Sequence, residues 1–189
     1  MNLSRFVAYS AFLATLTAPV TAQAQAGAAP PMPKPGPEHA LFKMDVGTWD
    51  AVVEIAAAPG APAVTSKGVE VVTLGCGGLC QITDFKGEMM PGTAFHGHGT
   101  AAWDVTKKKY VANWTDSMSQ GISIGESSWD PAAKKLTGTM EGPDMTGQIM
   151  KARSVVEYTA DGKRVFTMYA PGPDGKEMQL MRITYTRRK

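Results

Sequence analysis

The chain has 189 residues, 43% of them hydrophobic, with 19 Lys and Arg against 17 Asp and Glu for a formal net charge of +2. That length suits one domain with its own core. The charge is nearly balanced and no basic run is interleaved with aromatics (Lys107 to Lys109 read as a turn, Arg187 to Lys189 as a tail), which excludes the usual nucleic-acid surface.

The first two dozen residues read as an export signal. Arg5 supplies a short positive segment, and residues 6–16 (FVAYSAFLATL) form an apolar run too short to span a bilayer. Thr21-Ala-Gln-Ala24 then offers a small-x-small cleavage site. The expectation is a signal peptide over 1–24, cut after Ala24 or Ala26, and a periplasmic or secreted product. No lipobox cysteine follows, and no later apolar segment is long enough to span a membrane. A flexible Pro/Ala linker is expected over 25–36 and a single domain over 37–189.

Pro37 and Glu38 are helix-start signals, and they predict about two turns of helix. Leu41 and Met44, three apart, are expected to share its buried face with Phe42 beside them, closing one end of a barrel. His39 reads as a surface residue. Trp49, Ala51, Val53 and Ile55 then alternate with Asp50, Val52 and Glu54, the period of a half-buried strand. Residues 56–64 carry two prolines and a glycine and read as a loop. Strands are predicted over 67–74 and 79–86, with a loop over 87–92. A hairpin follows over 95–103 and 109–116, turning at Asp104-Val-Thr-Lys-Lys108. The turn phrase recurs as Asp130-Pro-Ala-Ala-Lys-Lys135, between strands at 121–129 and 136–141. Strands at 148–158, 164–169 and 177–186 complete the chain, with Asp161-Gly162 a hairpin signal. About ten short antiparallel strands without crossover helices favour an all-β closed barrel or a sandwich, and the up-and-down barrel is the expectation because closure also removes the exposed edges.

Two cysteines, Cys76 and Cys80, flank Gly77-Gly78-Leu79. A tight turn can bring them within bonding reach in an oxidising compartment, so a disulfide is expected. A metal site would need further ligands nearby, and a thioredoxin-type motif has two intervening residues rather than three.

The hairpin carries a resemblance. Gly97, Trp103-Asp-Val-Thr-Lys-Lys-Lys-Tyr110 and Trp114-Thr-Asp-Ser-Met118 resemble the signature of a bacterial family of unknown function, the domain numbered fifteen-seventy-nine. Gly47-Thr-Trp49, Gly87-Glu-Met-Met90 and Met181-Arg-Ile-Thr-Tyr-Thr-Arg187 extend the likeness to most of the chain. The resemblance implies a calycin-like barrel, similar to lipocalins and fatty-acid-binding proteins, and it implies no activity. The Gly-x-Trp at Trp49 is similar to that of lipocalins, where the indole packs beneath the barrel against a cation from the last strand. That likeness makes Arg182 or Arg187 the stacking partner of Trp49. Cys76 and Cys80 depart from the family phrase, so the disulfide has no support from it.

Tyr110, Ala112, Trp114 and Asp116 share one strand face. Turned into a lumen and joined by Met118, they would give a small-molecule pocket a wall and a polar anchor. A carboxylate held there is also a candidate general base. The plainer reading has Trp114 as core and Asp116 as a turn cap. His96 and His98 share a face and are candidate ligands for a transition metal or haem iron, although no third ligand is fixed by the sequence. Met89, Met90, Met118, Met140, Met145, Met150, Met168, Met178 and Met181 suit an adaptable apolar lumen or an ordinary core. No nucleophile elbow, phosphate loop or paired-carboxylate motif is present.

The expectation is an exported barrel binding a small apolar or amphipathic molecule, with no cofactor. The alternatives are an enzyme with an acid/base site at Asp116 or a histidine-held metal, and a packed structural barrel. An outward apolar stripe on the hairpins would permit a homodimer.

Overall fold

The computed structural model describes residues 31–56, 62–172 and 174–189. The expected signal peptide and the first part of the linker lie outside the described residues, as does part of the 56–64 loop.

Ten strands follow in order: β1 (Gly47–Ile55), β2 (Val64–Gly75), β3 (Cys80–Met90), β4 (Thr93–Asp104), β5 (Lys109–Asp116), β6 (Ser123–Asp130), β7 (Lys135–Pro143), β8 (Ile149–Tyr158), β9 (Arg164–Pro171) and β10 (Glu177–Arg187). Each pairs antiparallel with its sequence neighbours, and β10 closes on β1, with Trp49 opposite Arg187 and Ile55 opposite Met181. Of the barrel and the sandwich that the strand pattern favoured, the expected all-β up-and-down barrel is the fold observed. Period two sets the inside of β1: Trp49, Ala51 and Val53 are buried while Asp50 and Val52 are exposed.

The largest difference from the expected strands lies in β3. Residues 87–90 were expected as a loop, yet Gly87 pairs with both Gly68 and Phe95. A side chain at Gly87 would meet the Gly68 Cα and the Lys67 carbonyl at 2.5 Å. This glycine therefore permits close backbone approach within the sheet and does not break the strand.

The repeated turns share one geometry. Asp104 Oδ1 accepts the backbone N–H groups of Thr106 and Lys107, both at 2.9 Å. Asp130 Oδ1 does the same for Ala132 at 2.9 Å and Ala133 at 3.0 Å. Lys108 and Lys134 then take left-handed conformations, with φ of 52° and 50°. An L side chain there is strained by about 1–2 kcal/mol, and glycine relieves the strain at some cost in entropy. Lys108→Gly and Lys134→Gly are each expected to raise the unfolding free energy by about 0.5 kcal/mol. Equilibrium denaturation checks this, with no gain expected from alanine at the same positions.

At one end of the barrel a 3-10 turn (Pro37–His39) leads into α1 (Ala40–Asp45). The buried face differs from the expected one: Leu41, Phe42 and Asp45 are buried, and Met44 is exposed. Leu41, Phe42 and Asp45, at i, i+1 and i+4, share one face of this helix, and Met44 falls about 100° from the middle of that face, at 3.6 residues per turn. His39 is buried, not a surface residue. Its Nδ1 accepts the Gly36 N–H at 3.0 Å, and its ring stands edge-on to Phe42, which in turn meets Tyr110. No helix among the described residues is long and apolar enough to cross a membrane.

Cys76 to Gly78 form the expected tight turn, with φ of 53°, 66° and 91° at Cys76, Gly77 and Gly78. The expected disulfide is not formed. Both residues are free thiols, Cys76 exposed and Cys80 buried. Burial pushes the Cys80 thiol up, and the neighbouring Cys76 thiol adds to the rise.

Candidate functional site

The strand β5 runs the length of the lumen. Tyr110 and Ala112 face a small cavity at the helix-capped end, and Trp114 and Asp116 face a larger one at the other end. The indole of Trp114 lies over Gly97 and Gly99 of β4, where added Cβ atoms would meet it at 2.1 and 2.8 Å. The two glycines therefore make room for a tryptophan wall. Its Nε1–H donates to Asp116 Oδ2 at 3.0 Å.

The larger cavity has a volume of about 530 Å³, within the usual range for small-ligand sites. Its walls come from Val53, Phe85, Phe95, Trp114, Phe166 and Ile183, together with eight methionines. These are Met89, Met90, Met118, Met140, Met145, Met150, Met168 and Met181, so Met178 alone of the methionines singled out does not line it. Unbranched thioethers on five strands and two turns give a lining that can repack around different apolar shapes.

The floor is ionic. Glu70, Phe166 and Tyr185 border both cavities. Arg164 bonds to Glu70 and lies 3.1 Å from Asp45, and all three side chains are buried. The Tyr158 hydroxyl donates to Asp45 Oδ1 at 2.9 Å, and the Trp49 indole N–H donates to the Asp45 carbonyl at 2.8 Å. The Arg164 guanidinium also stacks on Trp49 and Tyr185, at 4.8 and 4.2 Å from their ring centres. Burial pushes the Glu70 carboxyl up against the opposing pull of Arg164. Burial raises the Tyr158 and Tyr185 hydroxyls, with neighbouring carboxylates adding to it. Both tyrosines therefore stay neutral hydrogen-bonding groups.

Of the two arginines considered for Trp49, Arg187 stacks on it at 4.1 Å. It also donates to the carbonyls of Met44 and Val46, tying α1 to the last strand. Gly47, at φ 137°, leaves room for it: a Cβ there would meet Arg187 Nη1 at 2.7 Å. Arg182 points outward instead and lies 4.0 Å from Glu54. The pleat explains this, since Arg182 follows Met181 and precedes the buried Ile183. His96 and His98 are likewise on the outer face, because Gly97 and Gly99 take the inward positions. His98 Nδ1 lies 2.8 Å from Asp84 Oδ1 at the surface, and no group of three or more potential ligands among the described residues could hold a metal ion. Asp116 is fully engaged as a cap. Its oxygens accept the N–H groups of Met118 and Ser119 at 2.8 Å, the Ser119 hydroxyl at 3.0 Å and the Trp114 indole. Four donors leave it no free lone pair aimed at a substrate, which argues against a general base.

Glu70, Arg164, Tyr185, Asp45 and Tyr158 are absent from the site residues read from the sequence. A weak signal existed for Glu70, which has the parity of Ser66 and Val72, both buried. Nothing local announced Arg164, since its partners stand on β2 and α1.

The molecule is thus a closed ten-stranded antiparallel barrel with an internal, largely apolar cavity above an ionic floor. The family model described as "Protein of unknown function (DUF1579)" matches residues 34–187, and the chain belongs to that family. The crystal structure of Rv2717c from M. tuberculosis is similar in fold, with a TM-score of 0.59 and 9% identity, covering 82% of this chain and 99% of that one. No curated protein matches the chain.

Proposed function

We propose that this protein binds a small apolar or amphipathic molecule inside the barrel, and that it does so after export to the periplasm or beyond. The observation that carries the binding reading is the cavity of about 530 Å³ with its eight methionines and Trp114. A solidly packed structural barrel would fill that space with side chains, because protein cores are close-packed. The n-region, apolar run and cleavage site in residues 1–24 support export.

Native mass spectrometry of protein purified from the periplasm without denaturation is expected to show a mass excess that denaturation removes. Added dodecanol is expected to change the emission of Trp114, with Trp114→Phe as the control. A clean apo mass together with no response to dodecanol would reject the binding reading. Accumulation of the full precursor in the cytoplasm would reject export.

A further inference from the structure

The charged side chains lining the larger cavity are Glu70, Glu88, Asp116 and Asp144. All are carboxylates, and no Lys, Arg or His lines it among the described residues. A cavity built for a fatty-acid anion needs a cation to receive the carboxylate. Among the described residues the only buried cation near the floor is Arg164, and it is already committed. Asp45 and Glu70 share its guanidinium, while Trp49 and Tyr185 stack against it.

The floor is also short of positive charge. Asp45 and Glu70 are two buried carboxylates served by one guanidinium. Asp45 lies below, bordering only the small cavity, whereas Glu70 borders both. The charges around Glu70 are Arg164 on β9 and Asp45 on α1, with the Tyr185 hydroxyl on β10 nearby. Without a further cation, a proton on Glu70 meets the shortfall, and burial favours that proton. A ligand ammonium beside Glu70 would take its place in a low-dielectric site, where such a pairing counts for more than in water.

Building on the binding reading above, we infer that the cavity selects an apolar molecule carrying a cationic amine, with the amine at Glu70 and the apolar body among the methionines. Fatty-acid anions are excluded by the same carboxylates that attract the amine.

The test compares dodecylamine, dodecanol and dodecanoate at neutral pH, below their micellar concentrations, with the mature chain. Calorimetry and Trp114 emission are the readouts. Dodecylamine is expected to bind at least about tenfold more tightly than dodecanoate, a difference of about 1.4 kcal/mol, with dodecanol between them. In Glu70→Gln, checked for native circular dichroism, the preference for amine over alcohol is expected to disappear. Dodecanoate binding as tightly as the amine, or more tightly, overturns the inference while leaving the cavity reading intact. So does equal binding of all three. Failure of all three to bind takes down the cavity reading itself. The wild-type ranking decides the matter even where Glu70→Gln does not fold.

Discussion

Replacing Arg164 by methionine is expected to lower the unfolding free energy by about 3–5 kcal/mol at neutral pH, the range for breaking a buried ion pair from one side. Arg164 is only 5% exposed, and its two carboxylate partners are as deeply enclosed. Methionine would fill much of the volume, so the loss would come from charge. Asp45 and Glu70 would stand in the barrel with no cation, and Trp49 and Tyr185 would lose the guanidinium stacked on them. The triple variant Arg164→Met, Asp45→Asn, Glu70→Gln is therefore expected to recover most of the loss, because it leaves no unpaired charge. Urea denaturation of the two variants checks this. A single variant within about 1 kcal/mol of wild type would mean that the cluster contributes little.

The same measurement run against pH isolates Glu70. Its carboxyl is raised above the ordinary value of 4.5 because burial outweighs the attraction of Arg164. A raised folded-state value means that this stabilisation is fully present below pH 4.5 and is lost as pH rises through the folded value. Glu70→Gln is expected to remove that decline. A wild-type profile with the same slope as Glu70→Gln would contradict the assignment.

Trp114→Ala is expected to cost about 2–3 kcal/mol, less than the 3–5 kcal/mol typical of a fully packed tryptophan, because one face of the indole already borders the cavity. The loss has two sources: the apolar contact over β4, and the hydrogen bond to Asp116. The contact with β4 can be read separately. In Gly97→Ala the new methyl would stand 2.1 Å from the indole Cζ2, a clash that forces the ring to move and costs about 1–3 kcal/mol. In the Trp114→Ala background the same substitution is expected to be nearly neutral, since the atom it would strike is gone. Additive losses in the double variant would show that Gly97 matters for a reason other than Trp114.

The sequence alone specified most of the elements, the end of β3 apart, because strand alternation and turn chemistry are local. Asp104 and Asp130 each cap a turn with their own backbone, so both turns were legible without any partner. Ten short strands without crossovers then left a barrel or a sandwich, and of these only the closed barrel removes both edges. The β5 face was legible for the same reason: residues two apart point the same way, so Tyr110, Trp114 and Asp116 had to share a side.

What only the tertiary structure decided was which side faces in and what meets there. Period two defines two faces but does not rank them when both mix apolar and polar residues. On β2, Val71 looks like core and is exposed, while Glu70 beside it is buried. On β4, the histidines look like lumen ligands, but the glycines take the inside because Trp114 needs the room. The ionic floor was beyond local reading altogether. Closure of β10 on β1 sets Trp49 beside Arg187, and Arg164 reaches Glu70 across the lumen, 94 residues away along the chain. A buried charge is stable only beside its partner, and that partner is fixed by closure of the barrel rather than by neighbours in sequence.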